Sequence, residues 1–373
     1  MIAAACLLLA NLYYPQPILG EVARALRLPK AASGAVITAG QLGYIAGLLL
    51  VASLGDMREN RRLCAAMTAG AGLCALAAAG TASAPLFLLL MGLMGVFATA
   101  TQVLMVFATA LAGPGRSGKV LGIMACGLFL GIALSRPVAG LVTGAAGWRG
   151  VYLGSGVALI GIGLCLALAL PRRPRVRSVH SYGAVLRNMA RLLRFPLLLR
   201  RTLLSCGAFF SFSMFWSTVP LYLAGHLHVA QGRITAFALA GLVTPPCMLL
   251  AGKFLDRGLG RQILLAALGC GLLAWLLPLA GPAWLGVFMA SALLLDPASS
   301  AVTVSIQQRI LSGAPAAVRG RLNSLNISMN FLGGAAGAAL GAFVLAHCGL
   351  AAVLLSGALL LGFLLCFAVA SRW

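Results

Sequence analysis

Long uninterrupted apolar runs constrain this chain more than any other feature. A transmembrane helix needs about 20 predominantly apolar residues, and breaks at charges, Pro and Gly divide the sequence into twelve such runs. They are continuous and rich in Ala, Leu and Gly, whereas barrel strands alternate apolar and polar residues over about ten positions. The sequence therefore predicts an all-α membrane protein of twelve spans, numbered 1 to 12 in chain order. The predicted spans lie near residues 2–20, 33–54, 63–83, 85–111, 118–143, 150–170, 200–224, 233–255, 262–281, 284–311, 319–346 and 349–371.

The composition excludes a soluble enzyme or a soluble nucleic-acid binder. The chain is 61% hydrophobic and 9% charged, against about 25% charged residues in soluble domains. Its net charge of +22 would suit nucleic acid only if a soluble body carried a basic patch. Twelve spans use about 240 residues, which leaves no room for such a body, so no nucleic-acid partner is expected.

The basic residues instead predict the orientation in the membrane. Of the 27 Lys and Arg residues, 21 lie in or next to even-numbered loops or at the C-terminus, five lie in or next to odd-numbered loops, and Arg136 lies deep inside a span. Cytoplasmic loops carry the excess of Lys and Arg, so both termini are predicted to be cytoplasmic. The inner-face cations are expected to contact anionic lipids. Three Lys against 24 Arg, with abundant Ala, suggest a GC-rich bacterial genome and hence the cytoplasmic (inner) membrane.

One long polar segment divides the chain into two sets of six spans. It begins with a Pro/Arg linker and continues as a basic amphipathic pattern, with apolar residues at Val185, Leu186, Met189, Leu192 and Leu193, which is typical of an interfacial helix. The predicted organisation is an N-terminal six-helix bundle over 1–170, a cytoplasmic linker with an amphipathic helix over 171–199, and a C-terminal six-helix bundle over 200–373.

The two sets of spans repeat each other. Asp56 ends span 2 and Asp256 ends span 8, at an offset of 200 residues. A second set of matches has an offset of 202 and pairs Lys119 with Arg321, Phe129 with Phe331, and Gly131 with Gly333. Two nearly equal offsets at corresponding spans favour an internal duplication, as in many carriers.

Polar side chains are concentrated in particular spans. Spans 3, 6, 9 and 12 contain no charged, amide or imidazole side chain apart from Gln262 at the edge of span 9, whereas most other spans contain them. Polar groups in hydrocarbon are costly and face a bundle interior or a wet cavity. Every third helix is therefore predicted to face lipid while the other eight surround a polar interior, which is the pattern of a transporter built from three-helix units.

Small-residue strips indicate where helices approach closely. GxxxG spacing occurs at Gly43/Gly47, Gly127/Gly131, Gly140/Gly144 and Gly333/Gly337/Gly341. Such strips let helix backbones pack against each other, so close contacts are predicted at all four.

Six short motifs are distributed along the chain. They are NLYYPQPIL (Asn11–Leu19), LGYIAGLLL (Leu42–Leu50) running into GD, SRPVAG (Ser135–Gly140), GWRGVY (Gly147–Tyr152), LLLD (Leu293–Asp296) and RGRLNSL (Arg319–Leu325). Together they resemble the motifs of a bacterial major facilitator superfamily (MFS) transporter, in the group whose first helix reads NLYYPQPIL. The resemblance covers essentially the whole chain and implies twelve helices in two pseudo-symmetric halves, a central site near the membrane midplane and alternating access. Members are mostly efflux carriers of small molecules.

The resemblance also locates a cytoplasmic loop motif, roughly G-x-x-x-D-R-x-G-R-R, in two copies. The second copy keeps most of the pattern. The first copy has Ala52, Met57 and Asn60 where Gly, Arg and Gly are usual, so the contact made by this copy is expected to be weaker. Each acid lies at a helix C-terminus, where an anion is disfavoured, so a neighbouring cation is expected to hold it as a gate latch. The predicted cytoplasmic gate comprises Asp56, Arg61, Arg62, Asp256, Arg257 and Arg261.

Asp296 is the predicted proton-coupling residue. It is the only acid well inside a span, about 18 Å along span 10 at 1.5 Å per residue, and hence near the midplane. A carboxyl group whose surroundings change between a buried and a cation-paired setting can load and release a proton. The alternatives are a cation-binding site or a structural acid beside Pro297.

Arg136 is the only cation well away from the ends of a span, and it precedes Pro137. It is predicted to bind an anionic substrate or to pair with Asp296; the alternative is an arginine satisfied by carbonyls that the proline frees. Further cavity residues are predicted from polar or aromatic character, with interhelical hydrogen bonding or packing as their alternative roles. They are Asn11, Tyr14, Gln41, Gln102, Trp216, Asn326 and Asn330.

The sequence therefore predicts a secondary active transporter, a proton antiporter that exports a small organic molecule. The alternatives are an uptake or facilitated-diffusion carrier for a sugar or metabolite and, less favoured, a polytopic membrane enzyme, which would need an acid, histidine or metal cluster that five scattered acids do not supply. The span-4 arginine common in proton-coupled drug exporters is absent from Gly92–Gln102, which weakens a drug-antiport interpretation. No cofactor and no metal are expected beyond a proton gradient, and the chain is expected to act as a monomer.

Overall fold

The computed structural model describes residues 1–55, 60–111, 117–171, 196–227, 229–281, 284–312 and 316–371. These residues form helices and short connections, without a strand among them. The predicted amphipathic helix of the linker and the loop acid Asp56 lie outside the described residues.

The first six spans are built from seven helices. Span 1 is the pair Ile2–Tyr13 and Pro15–Ala25, and span 4 is the pair Ala84–Ala98 and Ala100–Leu111. The remaining helices of this half are Ala35–Gly55 (span 2), Asn60–Gly80 (span 3) and Ser117–Ala169 (spans 5 and 6).

The last six spans follow the same plan. Span 8 is the helices Gln231–Ala238 and Thr244–Asp256, joined by the 3-10 helix Leu239–Val243. The other helices are Pro196–Gly225 (span 7), Gly260–Leu276 continued by the 3-10 helix Leu277–Ala280 (span 9), Leu285–Ser312 (span 10) and Ala316–Ala370 (spans 11 and 12).

The two longest helices are each two membrane crossings. Ser117–Ala169 has 53 residues, about 80 Å at 1.5 Å per residue, against an apolar bilayer core of about 30 Å. Gly147 interrupts it with φ 72° and ψ 169°, and Gly349 interrupts Ala316–Ala370 with φ 77° and ψ −178°. Glycine adopts this left-handed φ without a steric penalty. Nine long apolar helices, two of them divided in this way, and the bent pair of span 1 together confirm twelve spans in the described part of the chain.

Proline positions explain where spans bend. The two helices of span 1 meet at 50°, with Pro15 and Pro17 in the first turn of the second helix. Proline lacks the N–H that would continue the helical ladder. Span 8 changes to a 3-10 turn immediately before Pro245 and Pro246. The bend of span 1 and the 3-10 turn of span 8 therefore both lie at prolines.

The chain forms two compact units. The first comprises 1–28 and 39–186, and the second comprises 29–38 and 187–373. The first therefore contains nearly all of spans 1 to 6, and the second contains spans 7 to 12 with the loop after span 1.

Equivalent contacts within each unit support the predicted duplication. The kink glycines Gly147 and Gly349 are separated by the predicted 202 residues and share the same backbone conformation. In the first unit Gly131 lies directly against the backbone of Cys6, and in the second Gly333 lies directly against the backbone of Cys206. The helix pairs 1–5 and 7–11 therefore pack in the same way.

Spans 6 and 12 each carry a stripe of exposed apolar residues, and their lipid-facing position stays a prediction. Span 6 exposes Leu153, Val157, Leu164 and Leu168, the last at 73%. Span 12 exposes Leu355, Leu359 and Phe363 at i, i+4 and i+8. Residues at this spacing share one helix face.

Candidate transport site

Each unit contains one buried charged side chain among its described residues, Arg136 in the first and Asp296 in the second. Their surroundings define the candidate site, one part in each unit.

Asp296 lies in the middle of span 10 and is 2% exposed. The indole N–H of Trp216, in span 7, donates a hydrogen bond to its Oδ1 atom at 2.6 Å. An indole N–H can only donate, so this contact is best suited to an acceptor oxygen of the carboxyl group. Both Asp296 and Trp216 were predicted from the sequence as functional residues, and the structure places them in direct contact.

Trp216 packs within a cluster of buried aromatic rings. Its ring lies 5.0 Å from that of Phe237 and 5.9 Å from that of Phe215, and Phe215 contacts Trp275 at 5.6 Å. All four rings are fully buried. Trp275 donates its own indole N–H to Ser211 Oγ at 2.7 Å. Packed aromatic rings hold fixed orientations, so the donor that faces Asp296 is held in place.

Arg136 is 1% exposed and lies in span 5 beside Pro137. Its Nε–H donates to Gln16 Oε1 at 2.7 Å, and Gln16 is fully buried in span 1. Sequence reasoning favoured Asn11 and Tyr14 over Gln16 as the span-1 site residues. The signal that could have identified Gln16 is its position between Pro15 and Pro17, directly after the bend.

The duplication relates the two buried charges. Gln16 and Trp216 are 200 residues apart, which is the first offset that the sequence predicted for the repeat. Each is a polar residue of the first span of its half, and each bonds the buried charge of its own unit. The equivalent position thus holds an acceptor for a cation in one half and a donor for an anion in the other.

Asn11 and Tyr14 face span 6 within the first unit. Asn11 Nδ2 donates to Ser155 Oγ at 2.8 Å, and Ser155 Oγ lies 3.0 Å from Asn11 Oδ1 as a donor to it. Tyr14 also hydrogen-bonds with Ser155. Span 6 therefore has two faces, one exposed and apolar and one hydrogen-bonded to span 1.

Two of the other predicted cavity residues form hydrogen bonds between helices, and two more are buried. Gln102 Nε2 donates to Tyr44 Oη at 3.2 Å and links spans 4 and 2. Ser205 Oγ donates to Asn326 Oδ1 at 3.1 Å and links spans 7 and 11. Gln41 and Asn330 are buried, at 2% and 5% exposed. Their part in transport stays a prediction.

The predicted cytoplasmic gate is only partly described. The side chain of Asp256, like the whole of Asp56, lies outside the described residues. Arg61 is half-buried, and Arg62, Arg257 and Arg261 are exposed. Arg257 lies over the Phe254 ring at 5.7 Å, and Arg261 Nη2 donates to the Val369 carbonyl oxygen at 3.5 Å. The latch itself therefore stays a prediction.

Twelve spanning helices in the described part of the chain, a two-fold internal repeat and one buried charge in each unit define a multi-pass membrane transporter. A sequence profile of the Major Facilitator Superfamily matches residues 1–338, and the chain belongs to that family. It is 35% identical over 360 residues to the "Uncharacterized transporter YgaY" of Escherichia coli O157:H7, covering 96% of this chain and 91% of that one. It is 30% identical over 347 residues to the "Probable transporter SCO4007" of Streptomyces coelicolor, covering 91% and 79%.

Solved structures share the fold. The nucleoside transporter NupG superimposes with a TM-score of 0.73 over 99% of this chain and 96% of that one, at 15% identity. The bacterial MFS membership predicted from the sequence is therefore confirmed, as is the all-α twelve-span fold, and membrane transport is the function that the family supports.

Proposed function

We propose that this protein is a proton-coupled secondary transporter that exports a small organic molecule by alternating access between its two halves. The observation that carries the proposal is Asp296, a buried acid in the middle of a membrane-spanning helix, held by the Trp216 N–H. A charged side chain near the bilayer centre costs about 3 kcal/mol or more and marks an ion pathway or proton relay. The proton gradient supplies the driving force, and no cofactor is needed.

We also propose the membrane, the orientation and the oligomeric state of the transporter. The 21 to 5 distribution of Lys and Arg favours a bacterial inner membrane with both termini in the cytoplasm. The same cations favour contact with anionic lipids at the inner face. The working unit is a monomer with a small-molecule substrate, because each unit supplies its own half of the repeat. Uptake and facilitated diffusion are the competing modes.

Reconstitution in liposomes tests whether transport is coupled to protons and whether substrate and protons move in opposite directions. Purified protein is inserted into liposomes that contain the pH dye pyranine, a pH gradient is imposed, and a panel of small organic compounds is added outside. An antiporter makes a transported compound collapse the gradient as protons leave in exchange. A compound that crosses without changing the internal pH would indicate facilitated diffusion, and one that carries protons inward would indicate symport; either result would overturn the proposed exchange.

Replacing Trp216 with Phe is expected to slow pH-driven transport at least tenfold while the protein still folds. Phenylalanine keeps most of the aromatic packing but removes the N–H that orients the Asp296 carboxyl group, and a hydrogen bond to a charged group is worth about 1.5–3 kcal/mol. The measurement is the initial rate of pH change in the liposomes.

Trp275→Phe is the matched control for this variant. It removes an indole N–H of the same aromatic cluster whose acceptor is the neutral Ser211 hydroxyl. We expect it to lower thermal stability but to keep transport near the wild-type rate. Equal losses of rate in the two variants would mean that Trp216 acts only through packing.

A further inference from the structure

The Gln16–Arg136 pair lies where two proline-containing helices of the first unit meet. Gln16 follows the bend of span 1, and Arg136 precedes Pro137 in span 5. We propose that this pair is a subsite for a carboxylate group of the transported molecule, with Gln16 as a specificity-determining residue. The inference rests on the proposed transport function and specifies its substrate class as an organic anion.

The hydrogen bond between the two residues fixes which way the amide of Gln16 faces. A guanidinium N–H must meet an acceptor, so the Gln16 oxygen faces Arg136 Nε and the amide nitrogen is directed elsewhere. Gln16 is 0% exposed, and its Nε2 atom has no hydrogen-bond partner among the described residues. Leaving such a buried donor unsatisfied costs about 1–3 kcal/mol.

The chemistry of this pair favours an anion over a sugar or a cation. A guanidinium group carries only donors and does not deprotonate in proteins. The oxygen of Gln16 already accepts from Arg136, and the Gln16 atom without a partner among the described residues is the donor Nε2. A carboxylate offers two oxygens with about four acceptor positions and a compensating charge. Hydrogen bonds between ionised partners are roughly twice as strong as neutral ones.

The backbone at the site helps to hold both side chains in place. Pro15 and Pro17 fix the helix start on either side of Gln16, because the pyrrolidine ring restricts φ to about −65°. Both side chains are almost fully buried, so few rotamers are open to them. A site whose donors are held in advance binds more tightly because less motion is lost on binding.

Equilibrium binding to the full-length protein tests the proposal without a gradient. The protein is purified in detergent, and its unfolding temperature is measured with acids and their neutral primary amides: benzoate and benzamide, nicotinate and nicotinamide, salicylate and salicylamide, succinate and succinamide. We expect at least one acid to stabilise the wild type while its amide does not. If no acid stabilises the protein more than its amide does, the proposal is wrong.

Two substitutions at Gln16 separate recognition from packing. Q16E places a carboxylate beside the guanidinium, so it should abolish the acid-selective shift while leaving the ligand-free protein at least as stable. Q16M keeps the side-chain length but removes both the amide donor and the oxygen that accepts from Arg136, and it should weaken acid binding about tenfold or more, since one lost hydrogen bond to a charged group already costs that much. Q16M also serves as the test if Q16E does not fold. Wild-type acid selectivity in either folded variant would overturn the role of Gln16.

R149Q is the control for a general loss of positive charge. Arg149 lies in the same unit, where it donates to the carbonyl oxygens of Ala79 and Thr81 and lies over Trp148. This variant should lower the unfolding temperature but keep the acid-selective shift, whereas R136Q should lose the shift. Because no gradient is applied, a carboxylate site that binds normally in a protein without proton exchange would leave this inference standing and refute only the coupling.

Discussion

Replacing Asp296 with Asn is expected to abolish pH-driven transport in liposomes while the protein still folds and inserts. Asparagine has nearly the same shape as aspartate and keeps an oxygen that can accept the Trp216 N–H. The substitution therefore removes the titratable group and little else. The measurement is the rate at which a transported compound collapses an imposed pH gradient.

A second assay shows whether the loss is in coupling or in substrate binding. Exchange of labelled for unlabelled substrate, with equal pH on both sides, requires alternating access but no net proton movement. We expect D296N to retain this exchange and to lose only the pH-driven flux. Retained pH-driven flux in D296N would refute the proposed role.

Glu21 provides the matched control for the loss of an acid. It is a partly buried carboxylate of span 1 in the first unit, and nothing in the proposed mechanism uses it. E21Q is expected to transport at close to the wild-type rate. A similar loss in E21Q and D296N would point to a general effect of charge on insertion.

The spans were predictable because hydropathy and helix length act locally along the chain. The kink glycines Gly147 and Gly349 fall in or next to the gaps predicted between spans 5 and 6 and between spans 11 and 12. The bend of span 1 likewise lies at Pro15, in a turn that also contains Pro17. Each of these features depends on a few neighbouring residues, so the sequence alone was enough.

The partners of the buried charges were not predictable in the same way. That Gln16 bonds Arg136, and that Trp216 bonds Asp296, depends on how each helix is rotated against its neighbour. No sequence period encodes that rotation, and helical spacing left several polar residues of span 1 as candidates. The 200-residue offset between Gln16 and Trp216 was the available signal, because equivalent positions of a duplicated fold face equivalent neighbours.

The close contacts predicted from GxxxG spacing are present at some glycines and missing at another. Close approach was predicted at Gly131 and Gly333, and both lie against the backbone of the neighbouring span. The same prediction was wrong at Gly144, where a Cβ atom would meet nothing within 4 Å. GxxxG spacing places two glycines on one helix face, but it does not specify whether that face meets a helix or the surroundings.

Replacing Gly131 or Gly333 with Ala is therefore expected to destabilise the protein strongly, although the same change at Gly144 should stabilise it slightly. A Cβ at Gly131 would lie 2.8 Å from Cys6 Cα, and one at Gly333 would lie 2.8 Å from Cys206 Sγ, and each would collide with the carbonyl oxygen of that cysteine. Backbone atoms cannot move aside cheaply, and overpacking costs about 1–3 kcal/mol or more. In open space Gly→Ala gains up to about 1 kcal/mol of helix propensity.

Because stability is expected to fall at Gly131 and Gly333 but to rise at Gly144, the three variants distinguish between possible causes of the change. If propensity decided the outcome, all three variants would gain stability, and if any added methyl group harmed the fold, all three would lose it. Only close helix packing predicts losses at Gly131 and Gly333 with a gain at Gly144, measured as unfolding temperatures in detergent. Since the two contacts share no partner residue, the double variant should lose the sum of the single losses. Similar losses of stability in the two single variants would also show that the helix pairs 1–5 and 7–11 are alike in packing energy as well as in geometry.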